Sequence, residues 1–335
     1  MSLQYYRNPF VRNEHQPKIP DAKMDTSVGA RVTRSFEFQM GGTTADPNGT
    51  SNYEEMYIFS LPGISSTVVP FRYNAGTPDV IYTPDQKFAK FEFDGNDVKV
   101  PTSTQMNRLA AWRGVSFGVR ITPISPLMIT DGYYEVFSIP MSESAEDWSF
   151  TQSNGTLFVV PSNSYVNAIA TNFDQWRDAQ SYKSGNLHEL STLQFRNLIQ
   201  DTAHTPISPV KTYSDVKQDN TSWNPNSEFK NFLTDYIDPS FQITVFRLRC
   251  AGASPFLLTQ QYNLELQYGA DSALRALQTE NSPVPRNMNA EVARIARLEN
   301  VNGVANRTDY STPTQKKRTR NVVTNSPKRT RLAQV

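Results

Sequence analysis

From Val28 the chain alternates. Val28, Ala30, Val32, Phe36, Phe38 and Met40 fall on one side of an extended segment and Arg31, Thr33, Glu37 and Gln39 on the other, with Arg34 interrupting the apolar side. A period of two predicts a half-buried β-strand. Further strands are expected in EEMYIFSLPG, and in KFAKFEFDGNDVKVP, whose Asp94-Gly95 invites a turn. A short helical stretch is expected around Gln105 to Ala111, ahead of a strand in which Val115, Phe117, Val119 and Ile121 alternate with small or polar residues. The segment Tyr133 to Ile139 is apolar on both faces, which places it between two packed layers. Strands follow at Thr156 to Val160, Phe241 to Cys250 and Leu257 to Tyr268, the last with Tyr262, Leu264, Leu266 and Tyr268 on one side.

Between Asn172 and Asp238 the pattern dissolves into Asn, Asp, Ser and Pro, as in long loops around one or two short elements and not a second core. After Gly269 the two-residue period stops. In RNMNAEVARIARLENV, Met288, Val292, Ile295 and Leu298 recur every three or four residues, the spacing of one amphipathic helix. Eight or nine short strands with little helix must close into a sandwich or barrel, because a single layer leaves one apolar face in water. The expected architecture is all-β: an N-terminal arm over 1–27, a sandwich over 28–275 with 172–238 as long surface loops, a helical C-terminal segment over 276–311 and a tail over 312–335.

Charge sharpens this division. The chain carries 33 Lys and Arg against 32 Asp and Glu, yet QKKRTRNVVTNSPKRTRLAQV, Gln315 to Val335, holds seven basic residues and no acidic one. The remainder is therefore net acidic, and a basic appendage of this density suits a polyanion or a transport receptor. Lys316, Lys317, Arg318 and Arg320, then Lys328, Arg329 and Arg331 seven residues on, are candidate nucleic-acid ligands and also a bipartite nuclear-import pattern. The arm over 1–27, kept from helix by Pro9, Pro17 and Pro20, adds Arg7, Arg12, Lys18 and Lys23 to the candidate nucleic-acid-binding set.

Other chemistry is sparse. His15, His188 and His204 lack metal-ligand spacing, and no GxxxxGK or GxGxxG loop is present. Asp235 with Asp238, or Asp94 with Asp97, offers oxygens to a structural calcium ion between subunits, while solvated acidic turns are the default for such pairs. No other cofactor is expected. The single cysteine, Cys250, ends an apolar strand and reads as a small buried hydrophobe. With no disulfide to form and no apolar core in MSLQYYRNPF, the chain is expected to be made in the cytosol, and no enzymatic constellation emerges.

The order of parts resembles a known family. LAAWRGVSFGVRITPISPLMITDGYYEVFSIP is similar to paired strands of nodavirus-like and tombusvirus-like shell domains, and FQITVFRLRCAGASPFLLTQQYNLELQYG to their last two strands. NSPVPRNMNAEVARIARLENV is similar to the segment in which nodavirus-like proteins place an internal amphipathic helix. The resemblance covers roughly residues 28 to 300 and implies a single-jelly-roll capsid protein of a small icosahedral virus. The basic C-terminus departs from the nodavirus habit of an N-terminal basic arm, and with the import pattern it points to the bacilladnavirus capsid proteins of diatom viruses with single-stranded DNA. Such a protein is expected to assemble with itself into an icosahedral shell, to bind a single-stranded genome, to meet a host cell receptor and a nuclear import receptor, and to occupy the virion and the host cytoplasm and nucleus. Packing under the sandwich is the default for the helix at 287–300. Nodavirus-like shells instead release such a helix to disrupt membranes by cutting themselves at an Asn. Asn289-Ala290 offers that position here, but Asn74-Ala75 and Asn167-Ala168 show the dipeptide to be common, and no autoproteolysis is expected. The alternative is a β-sandwich carbohydrate-binding, lectin-like protein.

Overall fold

The computed structural model describes residues 8–10, 17–20, 24–40, 53–62, 68–74, 77–80, 109–124, 131–142, 144–153, 156–179, 181–200, 206, 237–251, 254–280 and 305–307. Two antiparallel sheets pack face to face. The first runs in the order β13 (Thr279–Glu280), β1 (Thr26–Met40), β12 (Ser254–Tyr268), β5 (Leu109–Pro123), β10 (Leu193–Arg196), β14 (Ala305–Arg307). The second runs β4 (Thr77–Val80), β3 (Val68–Asn74), β2 (Tyr53–Ser60), β11 (Ile243–Ala251), β6 (Asp131–Ile139), β9 (Lys183–Asn186). With the hairpin β3–β4 and the terminal β13 and β14 set aside, four strands remain in each sheet. The chain crosses between the sheets so that its first and last long strands, β1 and β12, lie side by side. That topology is a jelly roll.

The alternation in β1 sets the core. Val28, Ala30, Val32, Phe36, Phe38 and Met40 are all buried, and Phe38 stacks on Phe256 of β12 with ring centroids 5.3 Å apart. From β5, Trp112, Phe117, Val119 and Ile121 join them, with Tyr262, Leu264 and Leu266 of β12. A bulge separates the two halves of β5: Leu264 pairs with Gly114 but Asn263 with Ser116, so Val115 has no partner and the facing shifts. Across the gap stand Tyr134 and Val136 of β6 and Phe246 and Leu248 of β11. Gly132 lies at the start of β6 with φ +136°, and a Cβ there would sit 2.0 Å from the Arg249 carbonyl oxygen, so only glycine fits.

The segment β6 has packed layers on both sides, as its two apolar faces predict. Phe137 and Ile139 point away from the jelly-roll interior into a second apolar cluster with Tyr57, Phe59, Ile243 and Val245. An insert between β6 and β9 covers that face. It comprises the hairpin β7 (Trp148–Ser153) and β8 (Thr156–Pro161), then the helices α1 (Asn163–Thr171) and α2 (Phe173–Trp176). Ser162 caps α1, its hydroxyl accepting from the Tyr165 amide at 3.2 Å, and Val166 and Ile169 turn inward. Trp176 stacks flat on Phe137 at 5.3 Å while Phe173 meets the same ring edge-on at 5.4 Å.

Three expectations change. Residues Leu109 to Ala111, expected as the end of a helix, open β5 and pair with Gln267 and Tyr268 of β12. The strand at Thr156 belongs to the insert's hairpin and not to either sandwich sheet. Within 172–238, residues 173–179 and 181–196 are not long surface loops: they form α2, β9, a short 3-10 turn and β10, with Leu187, Leu190 and Phe195 buried in the jelly-roll core and Phe173 in the second cluster, a second core that the sequence denied. The elements are too short for their apolar spacing to be read. The KFAKFEFDGNDVKVP strand, the helix at 287–300, Asn289-Ala290 and the tail lie outside the described residues.

Candidate nucleic-acid interface

The first sheet turns its other face outward, and that face is polar. Row by row, Arg31, Asn263 and Ser116 lie side by side across β1, β12 and β5, followed by Thr33, Gln261 and Gly118, then Ser35, Thr259 and Arg120. Cross-strand hydrogen bonds knit the rows together. Arg31 Nε donates to Asn263 Oδ1 at 3.3 Å, the Thr33 hydroxyl donates to Gln261 Oε1 at 2.5 Å, and the Ser35 and Thr259 hydroxyls lie 3.0 Å apart.

The N-terminal arm lies on this face. Asn263 Nδ2, fully buried, donates to the Pro9 carbonyl at 2.9 Å and to Ser116 Oγ at 2.8 Å. Gly118 leaves the space the arm needs: a Cβ there would come within 2.9 Å of both Pro9 and Phe10. The Arg120 guanidinium lies 4.9 Å over the Phe10 ring. Further along, Glu265 Oε2 accepts from the Ile19 amide at 3.0 Å and from Arg113 Nε at 2.8 Å, its Oε1 accepts from Ser27 Oγ at 2.6 Å, and Arg113 Nη2 donates to the Ile19 carbonyl at 3.3 Å.

Of the eleven basic residues proposed as nucleic-acid ligands, Lys18 alone is among the described residues. Lys316, Lys317, Arg318, Arg320, Lys328, Arg329, Arg331, Arg7, Arg12 and Lys23 lie outside them. The Lys18 ammonium donates to the Ser27 carbonyl at 2.6 Å and to the Thr279 carbonyl and hydroxyl at 2.9 and 2.7 Å. It pins the arm to β1 and β13, and burial pulls its pKa down against the opposing field of Glu265. The arm is therefore seated at both of its described stretches, where the sequence suggested an extended, flexible arm. At the other edge of the same sheet, β14 pairs with β10, Arg307 opposite Leu193.

Asp238 is not a solvated turn residue. It is buried, Oδ2 accepting from the Gly114 amide at 2.8 Å and Oδ1 from the Ser240 amide at 2.9 Å, and burial raises its pKa despite those bonds. Both oxygens thus serve the main chain; Asp235, Asp94 and Asp97 lie outside the described residues, among which no group of side chains is arranged to hold a metal. His188 is exposed on the 3-10 turn, His15 and His204 fall outside the described residues, and Cys250 is buried in the inner cluster.

On the far side of the sandwich, the second sheet carries a charged cluster that the sequence did not reveal. Arg247 grips Glu55 through Nε at 2.9 Å and Nη2 at 3.1 Å, and Glu135 through Nη1 at 2.9 Å. Arg177, just past α2, and the Tyr182 hydroxyl donate to the other Glu135 oxygen at 2.9 and 2.6 Å. Burial opposes the charge on Arg247, but the hydrogen bonds to Glu55 with the fields of Tyr57, Glu55 and Glu135 outweigh it and raise its pKa. Its guanidinium also lies 4.4 Å over Phe173, which fastens the insert to the sheet.

The sandwich thus has one outer face sealed by its own insert and another, polar, on which residues 8–10 and 17–20 lie. Among the described residues, neither holds a group of side chains arranged to bind a metal. Comparison with known proteins agrees with a structural role. The capsid protein of Avon-Heathcote Estuary associated kieseladnavirus is 25% identical over 287 residues, 76% of this chain and 73% of that protein. The capsid protein of Chaetoceros protobacilladnavirus 2 is 24% identical over 314 residues, 83% of this chain and 79% of that one. Among solved structures, the VP2 subviral particle of infectious bursal disease virus is similar over 91% of this chain and 95% of that one, at 8% identity and TM-score 0.48. The model of the Shotokuvirus capsid protein family matches residues 1–302, which bears out the resemblance to bacilladnavirus capsid proteins and displaces the lectin reading. The chain belongs to the Shotokuvirus capsid protein family: it is a structural component of a viral shell.

Proposed function

We propose that this capsid protein assembles with itself into a closed icosahedral shell and packages a single-stranded genome, DNA, on the side of the β13-β1-β12-β5-β10-β14 sheet, through its basic termini. One observation carries the reading. Residues 8–10 and 17–20 are fastened to the outer face of that sheet at Asn263 and Glu265, and β14, the last described element before the tail, pairs along its edge. Arg7, Arg12 and Lys23 from one terminus and the seven basic residues of Gln315 to Val335 from the other therefore start from the same side of the subunit. Repeated around a shell, this concentrates positive charge on one surface, where lysine and arginine neutralise phosphates without regard to sequence. The opposite side, closed by β7, β8, α1 and α2, then faces the host receptor. The two basic clusters also serve as a nuclear-import signal before assembly.

Deleting residues 312–335 tests this. The fold is expected to survive, because the segment lacks the apolar periodicity of a core element, while the ratio of 260 to 280 nm absorbance of purified particles falls and a fluorescently tagged subunit leaves the nucleus. Unchanged nucleic-acid content would remove the tail from packaging. Recovery of the full-length chain only as small soluble species, at any concentration, would overturn assembly itself.

A further inference from the structure

Beside the arm, the outer face of the first sheet stays open. Thr33 and Ser35 of β1 are exposed and Thr259 of β12 is half-buried, a strip of hydroxyls bounded by the exposed Glu37 and the half-buried Leu257. Arg31 and Arg120, both half-buried, stand at opposite corners, two strands and two side-chain rows apart. At about 4.8 Å per strand and 3.4 Å per residue their Cα atoms lie roughly 17 Å from each other. That separation matches about five nucleotides of a stacked strand, near the lower end of single-strand site sizes.

We propose that this strip seats a segment of single-stranded nucleic acid, with Arg31 and Arg120 holding phosphates at its two ends, the Thr33, Ser35 and Thr259 hydroxyls meeting sugar and phosphate oxygens between them, and Phe10 backing the Arg120 guanidinium. The inference rests on the packaging reading and adds an ordered site to the tail. The partner follows from charge complementarity: two arginines frame an uncharged polar floor on the very sheet whose edge strand, β14, precedes the basic tail. Glu37, one row beyond Ser35, repels phosphate and ends the strip on that side.

The full-length chain, assembled or not, is incubated with a bromodeoxyuridine-substituted single-stranded oligonucleotide, irradiated and digested, and the adducts are mapped by mass spectrometry. Adducts are expected on peptides spanning 31–39 and 256–267, and they should persist when residues 312–335 are deleted. The double variant Arg31→Ala, Arg120→Ala is expected to lower their yield at least about tenfold, since a single lost charge-assisted hydrogen bond is already of that scale, while tail adducts remain. Thr33→Glu with Ser35→Glu, at exposed positions that burden the fold little, should do the same by charge repulsion. Adducts confined to the tail, or strip adducts indifferent to both variants, would overturn this site and leave packaging by the tail standing. Adducts nowhere on the chain would overturn both.

Discussion

Arg113 and Glu265 form an ion pair, Nη2 to Oε2 at 2.7 Å, with side chains 1% and 0% exposed. So deep a pair on a sheet's outer face exists only because the arm lies over it. The same two side chains hold the Ile19 amide and carbonyl, so the pair is a clamp on the arm as well as a bond between β5 and β12. Replacing Glu265 with Gln leaves a guanidinium buried without its counter-charge, and a loss of about 3–5 kcal/mol is expected from the urea midpoint. The arm should loosen with it, exposing the Lys18–Ile19 bond to trypsin. A variant of wild-type stability, with that bond still protected, would show the clamp to be incidental.

Arg247 stands between Glu55 and Glu135 at 14% exposure. Removing it leaves Glu55 facing Arg249 at 3.5 Å and Glu135 facing Arg177 at 2.9 Å with the cation between them gone, and takes from Phe173 the nearer of the two guanidinium groups over its ring. Arg247→Met is expected to cost about 3 kcal/mol and to detach the insert, read as cleavage between β7 and α2 under limited proteolysis while the jelly roll stays intact. Resistance of the insert equal to wild type would assign its attachment to the packing of Phe173 and Trp176 on Phe137 and to the bonds of Arg177 and Tyr182 with Glu135.

Asp238 sets a pH dependence whose sign follows from burial. Its folded-state pKa lies above the unfolded value of about 4, so the folded chain binds the proton first as pH falls. The cost of the buried charge is therefore present at neutral pH and relieved on acidification through the raised pKa. Against Asp238→Asn, which cannot titrate, the wild type should gain relative melting temperature as pH drops towards that window. A difference independent of pH between 4 and 7 would mean the carboxyl does not titrate there.

The long strands were legible because fifteen residues hold several turns of a two-residue period: β1 and β12 carry it from end to end. The four-residue β9 and β10 and the short α2 could not be read that way, since Phe173, Leu187 and Phe195 acquire meaning only from the sheet faces they meet. At Leu109–Ala111, leucine and alanine suggest helix by intrinsic preference, and pairing with β12 overrides it. The site was half visible. Alternation put Asn263 and Glu265 on the outer face, but nothing local shows that Pro9 and Ile19 return to cover them. Asp238 likewise looks like any acidic turn residue until the Gly114 and Ser240 amides are seen to converge on it.

Each outermost strand of the two sheets is brief. β13 has two residues, β14 three, and β4 and β9 four each. An edge of that length offers a neighbour too few backbone donors and acceptors to dock a full strand, which blocks fibre-like growth at high local concentration. In the shell proposed above, copies of this chain would meet through side chains and loops instead. Joints of that kind can open and re-form, so a misplaced subunit can leave a growing lattice and be replaced before the structure closes.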